Sequence, residues 1–429
     1  MYRKGSILDL LNQIRRPIRT FVLYLVILLA ILIYYWWKWH TFTNFVVAID
    51  HHSQFMQDFV GHYYPMGKQI LHDPKPVAGY LYSAFFALLL APIGSLPLLP
   101  AMVIWGAIQL ACLLVLCIVS VRGLLKLSPI GMILYIGLCA TSFPILHNIK
   151  WGQVSVLITV CIIATFYAYK ERKPILSGVL LAFSSAIKYY PILFLAYFIL
   201  KRDARVCLSF FLSVFIFYFV LPASVLGPSH WLAFEKSTIE ATRDVGVNDP
   251  NSQYIMHVGL RWFKYIFSRP ANDTIAQMLV IGGYVIVLSS IGLVWLLQRR
   301  KYGDECALSM AVLFLSLPFV IRTSWPHYFA YLPFCQIALF SHCTSYLHAS
   351  DFSPLEGKTV FVLSVFSILL SSVFVFNCFP HWWVYNSYGM LFLANLLLLV
   401  GMYAIIMQGN GLVNKGTDRT VKLVPRWWR

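Results

Sequence analysis

The stretch Thr20–Trp39 reads TFVLYLVILLAILIYYWWKW: twenty residues, one charge, and four aromatics in a row at Tyr34-Tyr35-Trp36-Trp37. It is long enough to cross a hydrocarbon core as a helix, which takes about 20 apolar residues. The aromatics close it as an interfacial belt. Arg3, Lys4, Arg15, Arg16 and Arg19 precede it. Its length, its aromatic end and the lack of a small-residue cleavage site separate it from a removable signal peptide. The same composition continues through the chain. Hydrophobic residues make up 59% and charged residues 11% of 429, and mean hydropathy is +0.73, which excludes a soluble globular class. The expected fold is an all-α polytopic integral membrane protein.

Further spans are expected near 99–121, 129–147, 153–169, 174–187, 190–200, 206–222, 275–298, 305–321, 327–346, 359–377 and 387–408, about twelve in all, in one domain covering 1–429. The pair 174–187 and 190–200 is short enough to be one broken helix. Tyr80–Leu96 carries Pro92, Gly94 and Pro97, and is expected to enter only part of the way, buried in protein so that its backbone groups find partners. Two long segments, 40–79 and 223–273, remain between spans, the first predicted to form interfacial helices.

The net charge of +17 sits between spans: in 1–19, at Lys170-Glu171-Arg172-Lys173, Lys201-Arg202, Arg299-Arg300-Lys301 and in the tail 409–429. That distribution fits the positive-inside rule and anionic lipid heads, so nucleic acid is not an expected partner. It places the 1–19 end and the 409–429 tail in the cytoplasm, and 40–79 and 223–273 outside. Nine cysteines without a CxxC read as small packed thiols.

In that arrangement isolated polar residues gather at the outer ends of spans. Asp58, His62, Tyr63 and Tyr64 come from 40–79; His147, Asn148, Lys150 and Gln153 from a turn; Lys188 and Tyr189 from another; Asn251, Ser252, Gln253, His257 and Arg261 from 223–273; Arg322, Ser324 and His327 from a late turn. Asp58, an acid among aromatics and histidines, reads as a catalytic base at a membrane surface. The plainer readings are a solvated or helix-capping acid, a helix laid flat on the membrane by Phe55, Phe59, Tyr63, Met66 and Ile70 and interrupted at Pro65, and a Lys188 that snorkels. His51-His52, His62 and His72 match no familiar ligand spacing, so no metal site is expected.

Five stretches in order carry a resemblance: Asp58-Phe59 with Tyr63-Tyr64; Tyr80-Leu81-Tyr82-Ser83 to Ala91-Pro92; Gly152-Gln153 opening a span; Ser177-Gly178-Val179 to Ala186-Ile187-Lys188-Tyr189-Tyr190-Pro191; and Ser324-Trp325-Pro326-His327-Tyr328. Asn251-Ser252-Gln253 with Arg261 adds a sixth, in altered order, and Ser83 stands where a proline is usual. Together they resemble glycosyltransferase family 87, in the GT-C class of membrane glycosyltransferases. The resemblance implies a GT-C-like bundle and a polyprenyl-phosphate-sugar donor, most simply a mannose donor. It also implies a lipid-linked or glycan acceptor, membrane lipids as neighbours, and an inner (plasma) membrane location with the site on the periplasmic or outer face.

The chemistry follows. A phosphate leaving group needs positive charge and donors rather than a second acid; Lys188, His327 and Arg322, with Gln153 and Tyr189, are the candidates. His62, Tyr63, Tyr64, Asn251, Gln253 and Arg261 are expected to contact donor or acceptor. Asp58 takes the acceptor's proton in an in-line, inverting transfer. No cofactor or metal is expected. The alternatives are a transporter or flippase of a lipid-linked glycan intermediate, which calls for midplane polar groups and repeats, and a non-catalytic scaffold.

Overall fold

The computed structural model describes residues 55–243, 249–265, 273–300, 305–346 and 354–408. The first span, His51, His52 and the 409–429 tail lie outside the described residues. Those described are helical, with no strand among them. A single isolated bridge joins Ser142 to Ser372.

Among the described residues four helices are long and apolar enough to cross a membrane: Leu98–Leu124, Ala204–Leu226, Asp273–Arg300 and Trp382–Met407. Leu98–Leu124 shows how. Val103, Leu110, Leu114 and Ile118 are exposed, whereas Ala101, Trp105, Gln109 and Leu116 are buried. A purely aliphatic stripe turned outward, with the helix's polar Gln109 and its Trp105 turned inward, is the pattern of a lipid-facing helix. Shorter apolar helices, including Ser155–Lys170, Pro174–Ile187 and Glu305–Phe319, pack between them.

Basic residues mark one end of the bundle. Lys170 Nζ donates to the Gly123 and Leu124 carbonyls at 2.9 and 3.2 Å, capping the end of another helix. Lys201 pairs with Glu305 at 2.8 Å, and Arg300 reaches the Ile406 carbonyl. The 16 residues of Ser155–Lys170 then carry the chain about 24 Å to the opposite end, where Gln153, Lys188, Asn251, Ser324 and His327 lie.

Several expected spans are subdivided. The chain breaks at Ser142, which is extended ahead of Pro144, and again at Ser371-Ser372, where Ser372 Oγ accepts from Val375 N. Phe143 N closes the two breaks together by donating to Ser371 O at 2.9 Å. Pro174–Ile187 and Tyr190–Leu200 are not one broken helix. Lys188 is extended (φ −149°, ψ 132°) and Pro191 follows. The second segment runs back toward the Lys170 end, where Phe198 meets Tyr169 at 5.1 Å.

Ala84–Gly94, 11 residues and about 16 Å long, starts beside Ala186 and ends beside Gly67, both at the Lys188 end. It does not carry the chain across. Ser83 caps it: its Oγ accepts from Phe86 N at 3.3 Å and donates to the Ala186 carbonyl. At its far end a Cβ on Gly94 would fall 2.4 Å from the Gly67 carbonyl carbon, and one on Gly67 would fall 2.5 Å from Leu90 O. Two glycines thus let this helix touch the Tyr64–Gln69 helix backbone to backbone.

Candidate active site

Asp58 opens a π-helical turn, Phe59–Tyr63, that continues into Tyr64–Gln69. The segment is two short helical pieces, as Pro65 suggests, with the proline in the first turn of the second. It does not lie flat on lipid by its apolar stripe. Phe59, Tyr63, Met66 and Ile70 are all buried in protein, and Phe59 stacks on Trp105 at 5.4 Å. π-Turns of this kind recur at functional sites.

The neighbouring turn is built to receive it. Helix Phe143–Trp151 ends on Gly152 in the left-handed region (φ 69°), where a Cβ would fall 2.8 Å from the Cβ of Phe59. Gly152 O accepts from Trp105 Nε1 at 2.7 Å, and Met56 N donates to Lys150 O at 2.7 Å. Asn148 caps the next helix with its Oδ1, accepting from Ser155 N at 2.9 Å. Gln153 is thereby fixed against Asp58.

The Gln153 carboxamide is the hub. Its Nε2 donates to Asp58 Oδ2, and its Oε1 accepts from Tyr82 at 2.8 Å. The Tyr63 hydroxyl shares one proton between Gln153 Oε1 (2.7 Å) and Tyr82 Oη (2.6 Å). Burial raises the Asp58 carboxyl above the ordinary carboxylate range. The Gln153 hydrogen bond and the charges of His62 and Lys188 act the other way. Such a carboxylate is a better base than a solvated one.

Asp58 opens on a cavity of about 330 Å³. His62, Tyr63, Gln153, Asn251 and His327 line it as expected, and Tyr82, His147, Trp151, Asp249 and Trp325 join them. His327 is buried, and neither of its ring nitrogens has a hydrogen-bond partner. Its ring stacks on His147 at 5.8 Å, which stacks on Trp151 at 5.7 Å. A buried imidazole on a cavity wall offers one donor and one acceptor, or two donors, to a group that enters the cavity.

The other expected ligands fall elsewhere. Lys188 does not line the cavity. Its Nζ lies behind Tyr82, donating to the Tyr82 hydroxyl at 3.1 Å, with ring centroids of Tyr82 and Tyr328 at 4.3 and 4.1 Å. It is buried between aromatic faces and does not snorkel. Tyr189 and Arg322 line a separate cavity of about 390 Å³ with Thr242, Val320 and Thr323. Tyr64 turns away to donate to Leu96 O at 2.8 Å. Gln253 is buried, donating to Asn386 O at 2.9 Å and accepting from Phe392 N at 3.3 Å. Arg261 donates to the carbonyls of Ser387 and Asp249, both at 3.1 Å, and of Ser252. The polar groups of those three meet backbone, and Arg261 also borders a third cavity of about 270 Å³ with Lys264 and Trp383. Among the described residues no three His, Cys, Asp or Glu side chains gather as a metal site.

Two acids escaped the sequence reading. Asp249 is on the cavity wall. Glu235, from helix Pro228–Arg243, is buried against the start of Ala84–Gly94: its Oε1 accepts from Ala84 N at 2.8 Å and its Oε2 from the Tyr218 hydroxyl at 2.5 Å. Burial raises its carboxyl, against those two hydrogen bonds.

Residues 80–321 match the model of glycosyltransferase family 87, more than half of the chain. The chain belongs to that family. The match takes in Tyr82, Gln153, Lys188, Asp249 and Asn251; Asp58 lies upstream of it and His327 just beyond. Among curated proteins, a polyprenol-phosphate-mannose-dependent alpha-(1-2)-phosphatidylinositol mannoside mannosyltransferase of Mycobacterium tuberculosis is 24% identical over 189 residues, 44% of this chain and 42% of that protein. The matched stretch is thus less than half the length of that relative. No solved structure matches the chain. Family 87 is a family of glycosyltransferases, and four helices among the described residues are long and apolar enough to cross a membrane.

Proposed function

We propose that this family 87 member transfers a sugar, most simply mannose, from a polyprenyl phosphate to a lipid-linked or glycan acceptor, with inversion at the anomeric carbon. Asp58 on the cavity wall is the observation that carries the reading. As the acceptor oxygen attacks C1, Asp58 accepts its proton; the C1–O bond to phosphate breaks in line and the polyprenyl phosphate departs. A phosphate leaves without protonation by a second acid, provided donors meet its growing charge. His327, with both nitrogens unpartnered, is the wall group suited to that. Lys188 acts from behind Tyr82 through the hydrogen bond that it donates to the Tyr82 hydroxyl. The named relative is a mannosyltransferase with a polyprenol-phosphate-mannose donor, and this supports the choice of donor.

The reaction is proposed to run without a divalent metal. The site is proposed to face the periplasmic or outer side of the inner (plasma) membrane, with both termini cytoplasmic. Supporting this, the cavity and the basic ends of the helices sit at opposite ends of the bundle. The test is transfer of radiolabelled mannose from polyprenyl-phosphate mannose by purified protein, with and without chelator, beside Asp58→Asn. Donor-dependent transfer that survives chelation and disappears in the variant supports the reading. Movement of intact donor across a bilayer without transfer, retained in the variant, would replace it with transport.

A further inference from the structure

The cavity wall carries two carboxylates, and the chemistry above uses one. Asp58 is committed to Gln153 and to the acceptor's proton. Asp249 stands apart. Its Oδ2 accepts from Trp325 Nε1 at 2.6 Å and its Oδ1 from Asn251 N at 2.9 Å. A carboxylate offers about four acceptor sites, so about two remain open toward the cavity.

No cation consumes them. Among the described residues Asp249 forms no ion pair, and the nearby Arg261 guanidinium meets its backbone carbonyl rather than its carboxylate. The Arg261 charge is close enough to interact with Asp249 but takes none of its carboxylate lone pairs. A carboxylate with open acceptor sites repels phosphate and welcomes neutral donors, of which sugar hydroxyls are the ones a glycosyl-transfer site receives. His327, with unpartnered nitrogens on the same wall, suits the phosphate instead. The two groups thus polarise the cavity, with one part for the anion and one for hydroxyls.

The surroundings fit a sugar ring. The Trp325 N–H is spent on Asp249, which fixes the plane of the indole while the residue still lines the cavity. Trp151 lines it too. Aromatic rings beside a carboxylate serve both parts of a sugar, the C–H face against the ring and the hydroxyls at the acid. Asp249 is also held in place: its carbonyl accepts from Ser252 N and Arg261 Nη1, both at 3.1 Å, and Pro250 confines its backbone to extended conformations.

We propose that Asp249 is the hydroxyl-reading group of this site, its carboxylate accepting hydrogen bonds from hydroxyls of a sugar ring seated beside Trp325. This rests on the glycosyl-transfer reading. The ring belongs to the donor or to a sugar of the acceptor, and the experiment separates these.

The test is a cycle between Asp249→Asn and sugars lacking one hydroxyl. Binding of short-chain polyprenyl-phosphate mannose, its 2-, 3-, 4- and 6-deoxy forms and sugar-free polyprenyl phosphate is measured by calorimetry, which needs no turnover. Transfer is measured with parent and deoxy acceptors. A hydrogen bond to a charged group predicts a loss of roughly 10- to 100-fold for one deoxy sugar in the wild type. Asp249→Asn should lose a similar factor on the parent and little more on that deoxy form. Such non-additivity among donors assigns the donor sugar; among acceptors, the acceptor sugar. Either supports the proposal. Trp325→Phe, which removes the indole N–H but keeps the acid, should preserve discrimination with weaker binding. If Asp249→Asn lowers every substrate and the sugar-free lipid equally, Asp249 is structural and the proposal is overturned. If the wild type transfers sugar but distinguishes no deoxy compound, it is overturned while the glycosyl-transfer reading stands. Absence of both sugar-dependent binding and transfer in the wild type overturns both.

Discussion

The Lys188 Nζ touches the Tyr82 hydroxyl at 3.1 Å and lies 4.3 Å from the centroid of the same ring. Tyr82 passes that contact on to Gln153, and Gln153 to Asp58. A buried amine that does not line the cavity is thus linked to the carboxylate that does. Tyr82→Phe keeps the ring and its contact with the amine but cuts the link. Loss of the hydrogen bonds of one buried hydroxyl predicts a fall in kcat/KM of roughly 10- to 100-fold. Lys188→Met should cost more, because it also empties the cage between Tyr82 and Tyr328. Steady-state kinetics on both variants checks this. Equal activity in Tyr82→Phe and wild type would break the link.

Asp58→Asn keeps the shape and an acceptor for Gln153 but cannot take a proton. A general base contributes about 10²–10⁴-fold, so kcat should fall by that factor while donor affinity stays within a few-fold. A loss confined to donor affinity would make Asp58 a binding residue.

Because burial holds the Asp58 carboxyl above its ordinary range, the acid limb of kcat/KM should lie higher than for a solvent-exposed carboxylate. The base works ionised, so activity is lost as pH falls through that raised value. The Gln153 hydrogen bond favours the ionised form, and Gln153→Leu removes it. The limb must then move to higher pH. A pH–rate profile that leaves the limb in place, or moves it down, contradicts the arrangement.

The meeting of Gly67 and Gly94 sets how Asp58 enters the site. Gly94→Ala puts a methyl 2.4 Å from the Gly67 carbonyl carbon and the Lys68 nitrogen, where backbone must shift. Overpacking of this kind costs about 1–3 kcal/mol, so the melting temperature in detergent and the activity should fall together. Gly292→Ala meets nothing within 4 Å and should leave both unchanged or slightly raise stability.

Much of the site was legible because a membrane chain advertises its polar residues. Asp58, His62, Tyr63, Gln153, Asn251 and His327 stand out against apolar spans, and once the ends of those spans are placed the six converge on one cavity. Direction was not legible. Lys188 and Tyr189 are adjacent, yet one lies behind Tyr82 and the other lines a second cavity. Tyr64, Gln253 and Arg261 look equally functional in sequence but are taken up by carbonyls that no sequence pattern places. Asp249 and Glu235 were missed because neither falls in a stretch that carries the family resemblance, and Glu235 sits in a helix, Pro228–Arg243, whose other charged residues read as solvated. The one available signal for Asp249 was its position opening Asp-Pro-Asn-Ser, two residues before Asn251. Tyr82 was inside a recognised stretch, but nothing in sequence says that it separates Lys188 from the cavity.

Arg261 distinguishes a binding arginine from a structural one. Its guanidinium reaches three carbonyls, two of them in the 249–252 turn that carries Asp249 and Asn251, the third at Ser387. Backbone carbonyls buried this way need a donor, and lysine cannot reproduce the fork. Arg261→Lys should therefore lower stability by about 1–3 kcal/mol, read as a lower melting temperature. It should also reduce transfer from every donor by a similar factor, since the turn as a whole loosens. An arginine that held phosphate would behave differently. Its replacement would raise donor KM selectively, leave the melting temperature alone and flatten the salt dependence of binding. Thermal unfolding and donor KM at two ionic strengths decide between the two, and the second pattern would move Arg261 from the framework into the binding site.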